Sequence, residues 1–277
     1  GCRHILIQGI QVNNPASWNQ QFDQCSHLII DQIKADCKNY WNNDGIDIVD
    51  CDSVVVKNSF FDASDDAICL KSHHPKFRCK DILIYNNTIR SSASAIKFGT
   101  YTFGGCQNIK IIKNTVYDTY RSAISFQMMD GNHVENILID SLRVINTGNV
   151  FFFRLGERKK GKVGSMKNIQ ISNVYAEITA DKGDKGYLYE GPIEHMPRNC
   201  SPAVITGLAH AAIENISFRN MEIHYPGGAD SNFAKIDLND VQSIAELPSK
   251  YPEYSMFKEL PAWGFYIRHA RQVRFEN

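Results

Sequence analysis

The sequence predicts an all-β chain wound as a single-stranded, right-handed parallel β-helix. Three observations lead there. One short apolar phrase recurs from end to end, its early spacing lies in the twenties, and its apolar residues alternate with period two. The phrase reads apolar–any–apolar, often followed by a small or amide residue and then, two residues on, another apolar position. Its copies begin at Ile5, Leu28, Val54, Ile82, Ile109, Ile137, Ile169 and Ile216, and a ninth begins at Val273. The intervals are 23, 26, 28, 27, 28, 32, 47 and 57 residues. Period-two alternation indicates strands, and repetition in the twenties indicates a solenoid. The β-branched content argues against helical repeats, and there is no leucine ladder for a leucine-rich repeat. Each copy is therefore expected to supply one coil.

A second strand per coil follows from the same reading. Ile46-Asp47-Ile48, Ile68-Cys69-Leu70, Ile96-Lys97-Phe98, Ile124-Ser125-Phe126 and Phe151-Phe152-Phe153 stack at offsets of 22, 28, 28 and 27. Their first and third residues should face the core, because side chains alternate across a strand. The middle residues Asp47, Cys69, Lys97, Ser125 and Phe152 should face outward. So should the next alternate set, Val49, Lys71, Gly99, Gln127 and Arg154. Asn58, Asn86, Asn114, Asn173 and Asn220 fall at or beside the corners, where asparagine tolerates left-handed backbone. The stretches near 177–202 and 224–264 carry Gly, Pro and charge and interrupt the repeat. They read as loops inserted between coils of one domain spanning 1–277, a domain that begins and ends inside its repeat pattern without end coils.

Composition removes several function classes. The formal net charge is +0, so the chain lacks the electrostatic footprint of a nucleic-acid binder. The basic run Arg158, Lys159, Lys160 and Lys162 reads as a solvated loop. No apolar stretch approaches the roughly 20 residues of a membrane helix, and Gly1–Gln8 is not the apolar segment of a signal peptide. The eight cysteines show neither CxxC pairs nor metal-like Cys/His spacing. Cys51, Cys69 and Cys106 sit in or beside strands, where a free thiol behaves as a small hydrophobe.

Coil stacking turns sequence offsets into neighbours about 4.8 Å apart. Asp44 and Asp66 differ by one local coil, Asp65 adjoins Asp66, and Asp47 points outward three residues after Asp44. Four carboxylates are thus expected to converge on one small surface. An isolated Asp-Gly is ordinarily a turn. A cluster is different, because neighbouring carboxylates cannot all ionise freely and at least one should have a raised pKa. A proton-holding acid beside ionised bases is what glycoside hydrolysis requires.

Asn42-Asn43-Asp44-Gly45-Ile46-Asp47, followed by Asp65-Asp66-Ala67-Ile68-Cys69-Leu70-Lys71-Ser72, resembles glycoside hydrolase family 28, the polygalacturonase family of pectin-lyase-like solenoids. Ala95-Ile96-Lys97-Phe98-Gly99-Thr100, Phe153-Arg154-Leu155-Gly156 and Ile205-Thr206-Gly207-Leu208 extend the likeness to a bacterial branch. The resemblance implies an inverting mechanism, with Asp65 as general acid and with Asp44 and Asp66 holding and deprotonating the attacking water. Asn42 matches the asparagine of the motif and is expected to position its neighbours. Two departures stand out. The family's Gly-His-Gly is matched by Ala93-Ser94-Ala95, and its carboxylate-gripping Arg-Ile-Lys by Ser125-Phe126-Gln127.

The substrate-binding candidates are therefore Asn42, Asp47, Lys71, Lys97, Gln127 and Arg154. The expected partner is a pectin-related or uronate-containing poly- or oligosaccharide, with no nucleic acid, no membrane, no cofactor and no metal. Trp18, Trp41, Tyr101 and Trp263 are candidates for stacking on sugar rings, and His73 and His74 for the rim. The resemblance implies a secreted or periplasmic location, although no export signal is visible, and the sequence does not set an oligomeric state. Two rivals use the same residues. One is a calcium-dependent lyase, with the aspartates as ligands and Lys71 or Lys97 as base. The other is a non-catalytic carbohydrate-binding β-helix.

Overall fold

All nine copies of the apolar phrase pair in register. Ile5, Leu28, Val54, Ile82, Ile109, Ile137, Ile169, Ile216 and Val273 form one continuous column of parallel pairs. A second column runs through Ile46, Ile68, Ile96, Ile124 and Phe151. The computed structural model describes residues 1–181, 184, 202–227, 237, 239–257 and 260–277. Over these residues the chain is a right-handed parallel β-helix.

Each early coil carries three strands. A long-strand face holds Arg3–Gln8, Ser26–Asp31, Asp52–Lys57, Cys79–Tyr85 and Gly105–Ile112, and continues through His133–Thr147, Ser165–Ile178, Ile213–His224 and Ala270–Glu276. A second face, which carries the site, holds Gln21–Asp23, Ile46–Val49, Ile68–Lys71, Ile96–Gly99, Ser122–Met128, Asn149–Leu155, Ala203–Thr206 and Phe265–Arg268. The third face was not read from the sequence. Its strands, such as Gln11–Asn13, Phe60–Ala63 and Thr115–Tyr117, are three or four residues long. Val12, Ala35, Phe61, Ile89 and Val116 form its inward column, and strands this short hold too little alternation to be seen.

The inward columns are the core. Leu28, Val54, Ile109, Ile139, Ile68, Ile96 and Phe126 are fully buried. Removing such side chains from water contributes roughly 1.5–3 kcal/mol each. Phe98, Phe126 and Phe153 stack coil on coil with ring centroids 4.2 and 4.5 Å apart. The corners are built from left-handed residues. Asn108, Asn136, Asn168 and Asn215 have φ of 56°, 60°, 58° and 56°, and each amide after the first donates to the previous asparagine at 2.8–3.1 Å. Asn58, Asn86, Asn173 and Asn220 also have positive φ. Asn114 sits beside a corner and faces inward, donating to the carbonyls of Ile84 and Ile112.

The two long intervals fall between coils. One separates Ser165–Ile178 from Ala203–Thr206, and most of the predicted loop near 177–202 lies outside the described residues. The other separates Ile213–His224 from Phe265–Arg268. Within it Tyr254, Met256 and Leu260 pack against Phe152, Val204 and Tyr266 as a second, smaller core on the outside of the helix. Among the described residues every cysteine is free, and all except Cys2 are buried. No helix among the described residues is long and apolar enough to cross a membrane.

Candidate active site

Asp44 ends the turn that enters strand Ile46–Val49, and Asp65 and Asp66 end the turn into Ile68–Lys71, one coil on. The coils are tied at this point. Gly45 N–H donates to the Asp66 carbonyl at 3.0 Å and Asp65 N–H to the Asn43 carbonyl at 3.4 Å. Gly45 is required by this approach, because a Cβ there would lie 2.5 Å from the Ala67 carbonyl oxygen. Asn43 is fully buried and donates to the carbonyls of Pro15 and Ser17, which fixes the turn holding Asp44. As a result, carboxylate oxygens of Asp44 and Asp66 lie within 4.8 Å of each other.

The surroundings of the three acids differ. Asp66 is buried, its carboxylate lies 2.6 Å from Lys97 Nζ, and it accepts the Ser94 N–H at 3.0 Å. Burial alone would push its pKa up. Lys97, Arg121 and the hydrogen bonds outweigh burial and hold it below the ordinary carboxylate range. Asp65 is half-buried and, among the described residues, has no ammonium in direct contact. Burial, reinforced by the Asp66 charge, pushes it up to about 6, while Lys97 and Arg121 pull the other way. Asp44 is buried and lies beside Asp47, and both effects raise it well above the usual range against the pull of Lys71.

Lys71 Nζ bridges Asp44, at 3.2 Å, and Asp47, and lies 4.8 Å from the Trp18 ring centroid. Burial opposes the charge on Lys71, but the surrounding acids raise its pKa overall. Asp47 is buried beneath this ammonium. Cys69 Sγ lies 3.5 Å from Asp44, and burial holds the thiol protonated well above its ordinary range.

Asp44, Asp65, Asp66, Lys71 and Lys97 line a cleft of about 300 Å³ together with Trp18, Asn42, His73, Thr100, Tyr101 and Tyr251. A larger hollow of about 560 Å³ lies at the last coils, lined by Phe218, Tyr225, Trp263 and Phe275. It is apolar and far poorer in titratable groups than the smaller cleft.

Asp44, Asp66 and Cys69 offer three possible metal-ligand atoms within 4.8 Å of one another. A thiol does not suit calcium, which prefers several oxygen ligands, and both carboxylates already face an ammonium group.

No protein-family model matches the chain. In sequence it is similar to an exo-poly-alpha-D-galacturonosidase of Dickeya chrysanthemi, with 21% identity over 248 residues, covering 80% of this chain and 41% of that protein. In structure it is similar to a hyperthermoactive exopolygalacturonase of Thermotoga maritima, with TM-score 0.57 and 19% identity, covering 80% of this chain and 48% of the other. The likeness to the solved structure is one of fold. The chain spans less than half the length of either protein.

The other predicted residues are spread more widely. Asn42, at φ 60°, is exposed at the cleft edge. Gln127 is buried and donates to Ser125 Oγ at 2.9 Å, outside the cleft lining. Arg154 leaves the sheet on the outward side, as the alternation predicts, but is covered by the inserted segment. Its guanidinium donates to Thr206 Oγ1, Gly207 O and Glu246 O and lies over the Phe257 ring. Burial lowers its pKa to about 10. Trp18 and Tyr101 line the cleft, whereas Trp263 lies at the apolar hollow. His73 lines the cleft and His74 does not.

Sequence reasoning missed three residues. Arg121 Nη1 pairs with Glu253 at 3.0 Å, and Lys97 Nζ donates to Tyr251 Oη at 3.3 Å. Tyr251 and Glu253 belong to the second insertion, which has no register relation to the coils and therefore no offset signal. Arg121 lies 28 residues after Ala93, a coil interval that could have pointed to it.

Proposed function

We propose that the chain is an inverting glycoside hydrolase acting on a pectin-related or uronate-containing glycan, with Asp65 as general acid. The observation that carries this reading is the unequal setting of two adjacent carboxylates: Asp66 is buried against Lys97 Nζ at 2.6 Å and the Ser94 N–H at 3.0 Å, while Asp65 is half-buried, and the difference lowers one and raises the other. Environments that push neighbouring titratable groups apart mark an acid and a base. Asp65, the more exposed of the two, keeps a proton for the leaving glycosidic oxygen. Asp66 stays ionised and orients the attacking water. Asp44, whose proton affinity is raised, accepts the proton that the water loses. The water attacks the anomeric carbon from the opposite side of the sugar as the bond to the leaving oxygen breaks, which inverts the anomer.

The same electrostatics disfavour a lyase. A lyase base must be neutral, and the acids around Lys71 and Lys97 raise the pKa of both ammonium groups. Cleavage from a chain end is the mode that the second insertion favours. Tyr254, Met256 and Leu260 cover the outward residues Phe152, Val204 and Tyr266 of the later coils, so a glycan lying along this face meets the insertion. Both relatives are named for exo action. The expected location is outside the cytoplasm, where such glycans are encountered.

The test is incubation with galacturonate oligosaccharides and other pectic fragments. New reducing ends without ultraviolet-absorbing products, lost in Asp65→Asn with glycan binding retained, are expected. An unsaturated product would favour the lyase, and binding without turnover in the wild type would favour a binding module.

A further inference from the structure

Lys97 stands on the outward side of the site face, where a cation could grip an acidic sugar. The geometry gives it another task. Its ammonium lies 2.6 Å from Asp66 Oδ2, and the two side chains retain only 6% and 4% of their exposure. A second donor points to the hydroxyl of Tyr251 at 3.3 Å, whose ring centroid is 5.8 Å away. Tyr251 comes from the insertion, 154 residues along the chain. That insertion is anchored by the Glu253–Arg121 pair and by Tyr254 and Met256 in the outer core.

We propose that Lys97 is a positioning residue, the fixed counter-ion of the water-orienting Asp66, held in place by Tyr251 rather than free to bind substrate. This inference rests on the hydrolase reading for its catalytic meaning, but the ion pair itself can be tested without any glycan.

The groups facing Asp66 support this task. Asp65 lies beside it in the chain, and Asp44 and Cys69 lie within 4.8 Å of its carboxylate. Glu253 and Tyr251 approach from the insertion, and Arg121 from the coil beyond Lys97. Arg121 is already paired with Glu253 at 3.0 Å, and Lys71 is taken up by Asp44 and Asp47. Among the described residues, Lys97 is therefore the cation in direct contact with Asp66. The backbone N–H of Ser94 supplies the remaining contact, at 3.0 Å. An aspartate left there without its ammonium would be buried among acids and would hold its proton to higher pH.

The experiment is carbon-detected NMR titration of the Asp carboxylates without ligand, beside kcat and KM. Wild type, Lys97→Met, Lys97→Arg and Tyr251→Phe are compared. Lys97→Met is expected to move the Asp66 titration upward by about 1–3 pH units, the size of a lost neighbouring opposite charge. Lys97→Arg should restore most of the wild-type position. Tyr251→Phe should give a smaller upward move.

An unchanged Asp66 titration in Lys97→Met, with KM raised, would overturn the proposal in favour of substrate grip. Should Lys97→Met fail to fold, an Asp66 titration in Tyr251→Phe identical to wild type overturns it instead. Failure of the hydrolase reading would show as absent turnover with the Asp66 move still present.

Discussion

One column of outward residues runs the length of the site face in register: Gln21, Asp47, Cys69, Lys97, Ser125, Phe152, Val204 and Tyr266. Its early half is polar and borders the cleft, with Asp47 under Lys71 and Lys97 on Asp66. Its late half is apolar and lies under the insertion, against Tyr254, Met256 and Leu260. The backbone is the same in both halves, and so is the inward face of Ile, Leu and Phe. Inward residues therefore fix the coil, while outward residues at equivalent rungs decide whether a coil carries chemistry or carries a wall. The wall also reaches the cleft, since it brings Tyr251 to Lys97 and Glu253 to Arg121.

The largest expected effect lies in the polar half. Asp65→Asn should lower kcat by about 10²–10⁴-fold, the usual contribution of a general acid, with glycan affinity measured by calorimetry little changed. In the apolar half, Phe152→Ala should cost about 3 kcal/mol, the low end for truncating a buried phenylalanine, as read by denaturant unfolding. It should also loosen the insertion and raise KM as Tyr251 moves away. If Phe152→Ala left both stability and KM unchanged, the wall would be independent of the site.

A pH profile sharpens the contrast between Asp65 and Asp66. Asp65 must be protonated to act, so activity should fall as pH rises through about 6. Asp66 must be ionised and stays so below the ordinary carboxylate range, so the acid limb is set by Asp44, the base, whose pKa burial and Asp47 raise. A carboxylate titration in which Asp66 rather than Asp65 takes up its proton near pH 6 would reverse the two roles.

The smallest effect belongs to the corners, far from both halves. Asn136→Ala should cost about 1–2 kcal/mol, because alanine lacks the short polar side chain that lets asparagine tolerate left-handed backbone and the amide ladder to Asn108 and Asn168 is lost. Asn136→Gly should cost less, since glycine accepts that backbone. Thermal unfolding of the two variants measures the difference.

What was legible in the sequence follows from the same division. The coil is a local, periodic property, so the columns beginning at Ile5 and at Ile46 could be read from intervals alone. The convergence of Asp44 with Asp66 was legible because one coil length separates them. The third face escaped because Val12 or Ala35 alone carries no alternation. The partners of Lys97 and Arg121 escaped for another reason: Tyr251 and Glu253 arrive on an aperiodic insertion, where sequence distance says nothing about spatial distance. Arg154 shows how far alternation reaches. It predicts the outward direction and not the covering segment that satisfies the guanidinium.

The most direct test of the aspartate assignment is proton NMR of the sugar released from a pectic oligosaccharide, followed from the first turnover. Appearance of the inverted anomer, absent in Asp65→Asn, is the expected result. First release of the retained anomer, or of an unsaturated sugar, would contradict an acid–base pair acting through water at Asp44, Asp65 and Asp66.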